Sequence, residues 1–159
     1  MSFSFLHNIE KSNPDQFTHL KKTKQLGARL QTIVGINITP FGRDLSIDFD
    51  ALGTNLDFLA REGVKVIVPC GNTGEFNALT VDECLEIMSF ASKRLKGKAT
   101  LIAGIGYATG TAIKLAQHAQ SVGYDGVMVH HPSNPYLSDR GYVDYIRAIA
   151  EQVDIAVIP

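Results

Sequence analysis

The residues with the most evident chemical potential follow the second of several short apolar runs. Residues 70–76 read Cys-Gly-Asn-Thr-Gly-Glu-Phe, so two glycines flank an amide and a hydroxyl side chain. Backbone N–H groups in a glycine-rich turn, together with a hydroxyl, can converge on an anion such as a carboxylate. A Walker loop is excluded because no Gly-Lys-Ser/Thr sequence follows. We therefore predict that residues 71–75 bind an anionic group, with an ordinary glycine turn as the alternative.

A second glycine-rich segment covers residues 103–110 and reads Ala-Gly-Ile-Gly-Tyr-Ala-Thr-Gly. Its spacing is similar to that of a dinucleotide-binding fingerprint, which also requires an acidic residue at the end of the next strand. The next apolar run ends instead at His130 and His131, and Asp125 precedes it. An α/β domain that binds an anion or a nucleotide therefore remains only as an alternative.

The histidines and cysteines do not have the spacing of metal ligands. His130 and His131 are adjacent, so on a strand they would point to opposite faces. Cys70 and Cys84 are too few for a disulfide framework, and we expect Cys70 to be a small buried residue. We predict neither a metal ion nor a cofactor.

These loops lie between two kinds of element that alternate along the chain. Amphipathic stretches with helix start and stop signals separate continuous apolar runs, which is typical of strands covered on both faces. This alternation predicts a parallel sheet with helical crossovers. The predicted strands are residues 32–38, 64–69, 99–103, 126–130 and 154–158, and the predicted helices are residues 48–62, 80–96, 111–122 and 138–152.

Two architectures fit four βα units and a fifth strand. One is an open doubly wound sheet, and the other is the first half of a TIM (β/α)8 barrel. Because the sequence stops at Pro159, directly after a predicted strand, we favour the half-barrel for residues 32–159. Residues 1–31 carry five basic and two acidic side chains and lack such apolar runs, so we assign them to an N-terminal extension that could form a helix.

Composition excludes several classes of protein. The 159 residues carry a net charge of -1, which gives no electrostatic signal for nucleic acid or an anionic membrane. No apolar run approaches the length of a membrane span, and the N-terminus does not read as a secretory signal. We expect a cytoplasmic protein whose partner is a small molecule.

Taken in order, the loops resemble those of the dihydrodipicolinate synthase and N-acetylneuraminate lyase family, which are class I, Schiff-base aldolases. The resemblance covers about residues 32–159 and rests on four features: Thr39-Pro40-Phe41, residues 71–75, Ile102-Ala103-Gly104 and the spacing from Pro132 to Gly141. It implies a βα barrel, a homo-oligomer in the intact enzyme, and a 2-oxo acid substrate, usually pyruvate. In this family the loop after the second strand holds the carboxylate of that acid.

The resemblance also assigns residues. The residues that match the family's loop motif at its centre, Asn72 and Thr73, would hold the carboxylate. The other matching residues would shape that end of the site: Thr39, Pro40, Gly71, Gly74 and Glu75. Asn72 stands where the commoner version of the loop has another threonine. Ser133 and Asn134 stand where the synthase has paired tyrosines, and they are kept as further candidate site residues.

These departures look closer to the 5-dehydro-4-deoxyglucarate dehydratase branch. We therefore expect a lyase or dehydratase that acts on a 2-oxo sugar acid. Dihydrodipicolinate synthase, which joins pyruvate and aspartate semialdehyde in lysine biosynthesis, is one alternative. A noncatalytic fragment is another.

The family's catalytic tyrosine follows the fifth strand and its Schiff-base lysine ends the sixth, so both would fall beyond Pro159. None of the nine lysines in the sequence lies at the carboxyl end of a predicted strand, where a buried imine-forming amine would be needed. We therefore expect these 159 residues alone to catalyse neither aldol cleavage nor dehydration.

Overall fold

Strands and helices alternate along the chain, as the sequence predicts. The computed structural model describes residues 24–132 and 137–159. The strands are β1 (Val34–Gly35), β2 (Val66–Ile67), β3 (Thr100–Ile105), β4 (Gly126–Val129) and β5 (Ala156–Ile158). The helices between them are α1 (Phe49–Arg61), α2 (Val81–Leu95), α3 (Thr109–Ser121) and α4 (Asp139–Ala150). Two short 3-10 turns, Asn72–Gly74 and Phe76–Ala78, follow β2.

The five strands pair in chain order, and every pair is parallel. A doubly wound sheet reverses its strand order at a switch point, whereas a βα barrel adds each strand beside the preceding one. The doubly wound alternative is therefore wrong. The prediction of four βα units and a fifth strand, arranged as the first part of a TIM barrel, is confirmed.

Each face of the sheet packs against a different apolar layer. Alternate strand residues such as Ile67, Leu101 and Val127 lie in the cluster formed with the helices. Their neighbours Val66 and Ile102 lie in a second cluster on the opposite face. Since successive side chains of a strand point to opposite faces, strands covered on both sides must be apolar throughout.

The described end of the N-terminal extension covers the second cluster. Residues 24–29 are helical, and Leu26 is buried against the inner face of the sheet. The part of the predicted extension that precedes residue 24 lies outside the described residues. No helix in the described part of the chain is long and apolar enough to cross a membrane.

The helices begin at the capping residues that the sequence indicates. The Asp48 carboxylate accepts from the Ala51 N–H at 2.9 Å ahead of α1. Thr80 and Glu83 form the predicted capping box of α2. Helices α1, α2 and α3 are followed by glycines with positive φ, at residues 63, 97 and 123. The predicted helices therefore agree with the observed ones to within a few residues.

The observed end of β3 differs from the end that the sequence predicts. The sequence places this strand at residues 99–103, but it continues through Gly104 and Ile105, which pair with Met128 and Val129 of β4. Gly104 is therefore not a turn residue. A Cβ atom at Gly104 would lie 1.9 Å from the carbonyl oxygen of Cys70, so glycine is required for the close approach of two backbones.

This contact predicts an unequal response to two glycine substitutions. Gly104→Ala should lower the free energy of unfolding by about 3 kcal/mol or more, because the backbone at Cys70 must move. Gly110→Ala is the matched control, since no atom from outside its own helix lies within 4 Å of its new Cβ. In urea unfolding, we expect Gly110→Ala to be neutral or stabilising by about 0.5 kcal/mol. Equal stability of the two variants would contradict the close approach.

Candidate functional site

The predicted anion-binding loop lies at the carboxyl end of β2, between the loops that follow β1 and β3. Its backbone contains two non-glycine residues in the left-handed region, Cys70 (φ 59) and Glu75 (φ 67). Each such residue costs about 1 kcal/mol relative to ordinary backbone. Strained residues of this kind persist only where the surroundings hold them, and they cluster at binding and catalytic sites.

The loop after β1 holds one side of this segment. The buried hydroxyl of Thr39 donates to the carbonyl oxygen of Gly74 at 2.7 Å. A Cβ at Gly74 would lie 2.9 Å from the Asn37 carbonyl oxygen, and one at Gly71 would lie 2.6 Å from the Ile36 side chain. The structure therefore brings Thr39, Gly71 and Gly74 together through contacts that position the loop.

The exposed residues of the loop are Asn72, Thr73 and Glu75. The Gly74 N–H donates to Gly71, and the Glu75 N–H donates to Asn72. Among the described residues, no backbone carbonyl accepts from the N–H groups of Asn72 or Thr73. Two N–H donors without a backbone acceptor and the Thr73 hydroxyl therefore belong to exposed residues, and this donor set suits a carboxylate.

His130 holds the other side of the loop. Its Nε2 lies 3.0 Å from the carbonyl oxygen of Cys70. Because a carbonyl only accepts, Nε2 donates the proton in this contact. The imidazole also stacks on Phe76, with ring centroids 4.0 Å apart. The spacing of this histidine in the sequence argues only against a metal ligand, although its place at the end of a predicted strand is a signal that it could reach the loops.

Tyr107 ties the loop after β3 to the segment after β2. Its hydroxyl lies 2.7 Å from the carbonyl oxygen of Phe76 and 2.6 Å from that of Leu79. Tyr145 donates to the Tyr107 carbonyl from α4 at 3.1 Å. Burial raises the pKa of Tyr107 well above its usual range, so the phenol stays protonated and acts as a donor. No motif or spacing in the sequence singles out this tyrosine.

The remaining predicted site residues are placed as follows. Pro40 is half-buried, and its carbonyl accepts from the Asp48 N–H at 2.9 Å. Glu75 is exposed between the two 3-10 turns. Ser133 and Asn134 lie outside the described residues. Every lysine among the described residues lies on a helix, just after one, or ahead of a strand: residues 24, 65, 93, 96, 98 and 114.

A cavity of about 1110 Å³ lies at the opposite end of the sheet. Its lining includes Lys65 and Thr100, which lie at the starts of β2 and β3, and none of residues 71–75. The Arg29 guanidinium and the Asp125 carboxylate form an ion pair of 2.8 Å in its wall. This cavity is therefore separate from the carboxylate-binding candidate.

Comparison with known proteins gives one consistent result. The model of the dihydrodipicolinate synthetase family matches residues 29–158. The 4-hydroxy-tetrahydrodipicolinate synthase of Aquifex aeolicus is 38% identical over 122 residues, which cover 76% of this chain and 41% of that enzyme. The crystal structure of dihydrodipicolinate synthase from Oceanobacillus iheyensis is 44% identical with a TM-score of 0.81, and the match covers 84% of this chain and 45% of that one.

A third similar structure is a prophage protein of the dihydrodipicolinic acid synthase family from Escherichia coli K12, solved in complex with pyruvate. It is 28% identical with a TM-score of 0.75, over 78% of this chain and 42% of that one. This chain thus spans less than half the length of the relatives it matches. The expected closeness to the 5-dehydro-4-deoxyglucarate dehydratase branch is not supported, because the matching relatives carry the synthase name.

The contact between the first two loops predicts the effect of one hydroxyl. Thr39→Val keeps the shape of the side chain but leaves the buried Gly74 carbonyl without its donor, so the free energy of unfolding should fall by about 1–3 kcal/mol. Thr54→Val is the matched control, because the exposed Thr54 hydroxyl only bonds back to the Asp50 carbonyl of its own helix. Its effect should stay below about 0.5 kcal/mol. Chemical denaturation of both variants tests the difference, and a neutral Thr39→Val would contradict it.

Proposed function

Because the chain belongs to the dihydrodipicolinate synthetase family, we propose that it forms the carboxylate-holding part of a Schiff-base lyase acting on a 2-oxo acid. The observation that carries this proposal is the exposed pair of Asn72 and Thr73 at the carboxyl end of β2. The acid's carboxylate would accept hydrogen bonds from the Thr73 hydroxyl and from both backbone N–H groups. A loop held on both sides needs little reordering to do this, so binding loses little conformational entropy.

The reaction that we favour joins pyruvate to aspartate semialdehyde. The names of the similar enzymes support this choice, and the pyruvate complex of the similar prophage protein supports the nucleophilic substrate. A lysine amine would form an imine with the keto carbon of pyruvate. The imine withdraws electrons, so a proton can leave the adjacent methyl carbon and that carbon can attack the aldehyde.

The lysine of this reaction is not among the described residues. A Schiff-base lysine must reach the keto carbon above the carboxyl ends of the strands, and the described lysines all lie elsewhere. We propose that it belongs to a part of the intact protein that completes the barrel. On this proposal the chain itself binds the acid and catalyses no turnover, and the intact protein is a homo-oligomer that needs no cofactor.

A dehydratase acting on a 5-dehydro-4-deoxyglucarate-like acid is the second candidate. Asn72 favours it, because the amide can donate to and accept from a hydroxyl of a sugar acid. Such a hydroxyl is absent from pyruvate. The synthase and dehydratase reactions share the imine and the carboxylate contacts. They differ at the carbon next to the imine, which attacks an aldehyde in the synthase reaction and takes part in loss of water in the dehydratase reaction.

Carboxylate binding by the chain itself is the first test. In an NMR titration with pyruvate, we expect the amide signals of Asn72 and Thr73 to shift, and Thr73→Val to weaken binding about tenfold through the lost hydroxyl. Thr109→Val is the matched control, since Thr109 is also exposed but follows β3. Acetone, which has the ketone without the carboxylate, should leave the loop signals unchanged. Unaltered pyruvate affinity in Thr73→Val would contradict the assignment.

Borohydride reduction tests whether the chain contains the lysine that forms the imine with pyruvate. We expect borohydride in the presence of pyruvate to leave the 159-residue chain unmodified in intact-mass analysis. A chimera that joins the chain to the part of the Oceanobacillus iheyensis synthase that follows its fifth strand should gain one reduced pyruvate. Turnover of the chimera with aspartate semialdehyde, compared with 5-dehydro-4-deoxyglucarate, separates the two candidate reactions. Trapping on the chain alone would overturn the proposal that the lysine lies elsewhere.

A further inference from the structure

The cavity of about 1110 Å³ where β2, β3 and β4 begin, which we call the amino-end cavity, has five basic residues and one acidic residue in its lining. The acidic residue is Asp125, and the basic residues are Arg29, Lys65, Lys93, Lys96 and Lys98. Over the whole chain, basic and acidic residues are nearly equal in number, 15 against 16. The lining therefore has an excess of positive charge that the composition of the chain does not account for.

The ion pairs of the structure neutralise only part of this excess. Arg29 pairs with Asp125 at 2.8 Å, and the Lys98 amine lies 3.6 Å from the Asp57 carboxylate. The other three lysines of the lining form no ion pair within the described part of the chain: Lys65, Lys93 and Lys96. Like charges around one cavity repel each other, so an anion that binds between these three unpaired lysines lowers the electrostatic free energy.

The dipoles of the helices explain only some of these charges. A helix C-terminus favours cations, which accounts for Lys93 in the last turn of α2 and for Lys96 directly after it. Lys65 lies on no helix, because it immediately precedes β2. A lysine from a second kind of element therefore faces the same cavity without a structural partner.

The backbone carbonyls at the ends of α2 and α3 do not need the lysine amines either. The Leu95 carbonyl at the end of α2 accepts from the backbone N–H of Lys98 at 2.9 Å. The Val122 carbonyl at the end of α3 accepts from the Ser92 hydroxyl. Because these carbonyls already have donors, the amines of the three unpaired lysines remain available to an external anion.

We propose that the amino-end cavity binds a small molecule through a phosphate or diphosphate group held by the three unpaired lysines. A lysine ammonium is a compact point charge that binds phosphate without the planar geometry that arginine offers to a carboxylate. The only arginine in the lining is engaged by Asp125. The volume of the cavity is that of a pocket for a whole small molecule, so it has room for more than the phosphate group itself.

The native chain and inorganic pyrophosphate provide the first test, at an ionic strength held constant with sodium chloride. We expect pyrophosphate to raise the midpoint of thermal unfolding, because a ligand of the folded state stabilises that state. In an NMR titration, the amide signals of residues 65 and 96–98 should shift, and acetate at the same ionic strength should leave them unchanged. Unchanged signals with pyrophosphate, or shifts confined to residues 71–75, would overturn the proposal.

Removal of single charges tests the assignment of the lysines. Lys65→Gln and Lys96→Gln should each weaken pyrophosphate binding about tenfold through one lost charged hydrogen bond. Lys114→Gln is the matched control, since Lys114 is an exposed lysine of α3 outside the lining, and its effect should stay below about twofold. Equal losses in the three variants would show general charge attraction and would contradict a site in this cavity.

Two features keep this test separate from the carboxylate-binding proposal. Lys65 and Lys96 are exposed and lie on different parts of the chain, so failure of one variant to fold leaves the other to decide. Pyruvate affinity should be the same in both variants as in the unaltered chain, because the amino-end cavity contains none of residues 71–75. Loss of pyrophosphate binding without loss of pyruvate binding is therefore the expected result.

Discussion

The backbone carbonyl of Cys70 lies where the carboxyl ends of β2, β3 and β4 meet. The His130 imidazole at the end of β4 donates to it at 3.0 Å. On β3, the absence of a side chain at Gly104 leaves the room that this carbonyl occupies. The next peptide begins the predicted anion-binding loop, residues 71–75. The direction of that loop therefore depends on a hydrogen bond from one strand and on a missing Cβ on another.

Two further contacts complete the support of the loop. Thr39 holds the Gly74 carbonyl from the side of β1, and Tyr107 holds the Phe76 and Leu79 carbonyls from the side of β3. Each support donates to a backbone carbonyl of a buried residue, where an acceptor without a donor lowers stability. Within the described part of the chain, the N–H groups of Asn72 and Thr73 have no backbone acceptor. Rigid surroundings with a few open donors are what carboxylate binding requires.

The strand order explains why loops far apart in sequence can all contact the segment that follows β2. Every strand pairs in parallel with the preceding one, so all carboxyl ends lie along one edge of the sheet. The helices cover the outer face, and the N-terminal helical residues cover the inner face through Leu26. Membership of the dihydrodipicolinate synthetase family agrees with this arrangement, and the relatives continue beyond the length spanned here.

The sequence alone was enough for the alternation of strands and helices, for the capping residues Asp48 and Thr80, and for the loop at residues 71–75. Those features are local, because apolar periodicity, a capping side chain and a glycine turn involve residues only a few positions apart. It did not reveal that Gly104 continues a strand, that Thr39 supports the loop, or that His130 holds the Cys70 carbonyl. Thr39 and Gly74 are 35 positions apart, and Cys70 and His130 are 60 apart. Such contacts exist only once the parallel strands have brought their ends together, so only the tertiary structure could decide them.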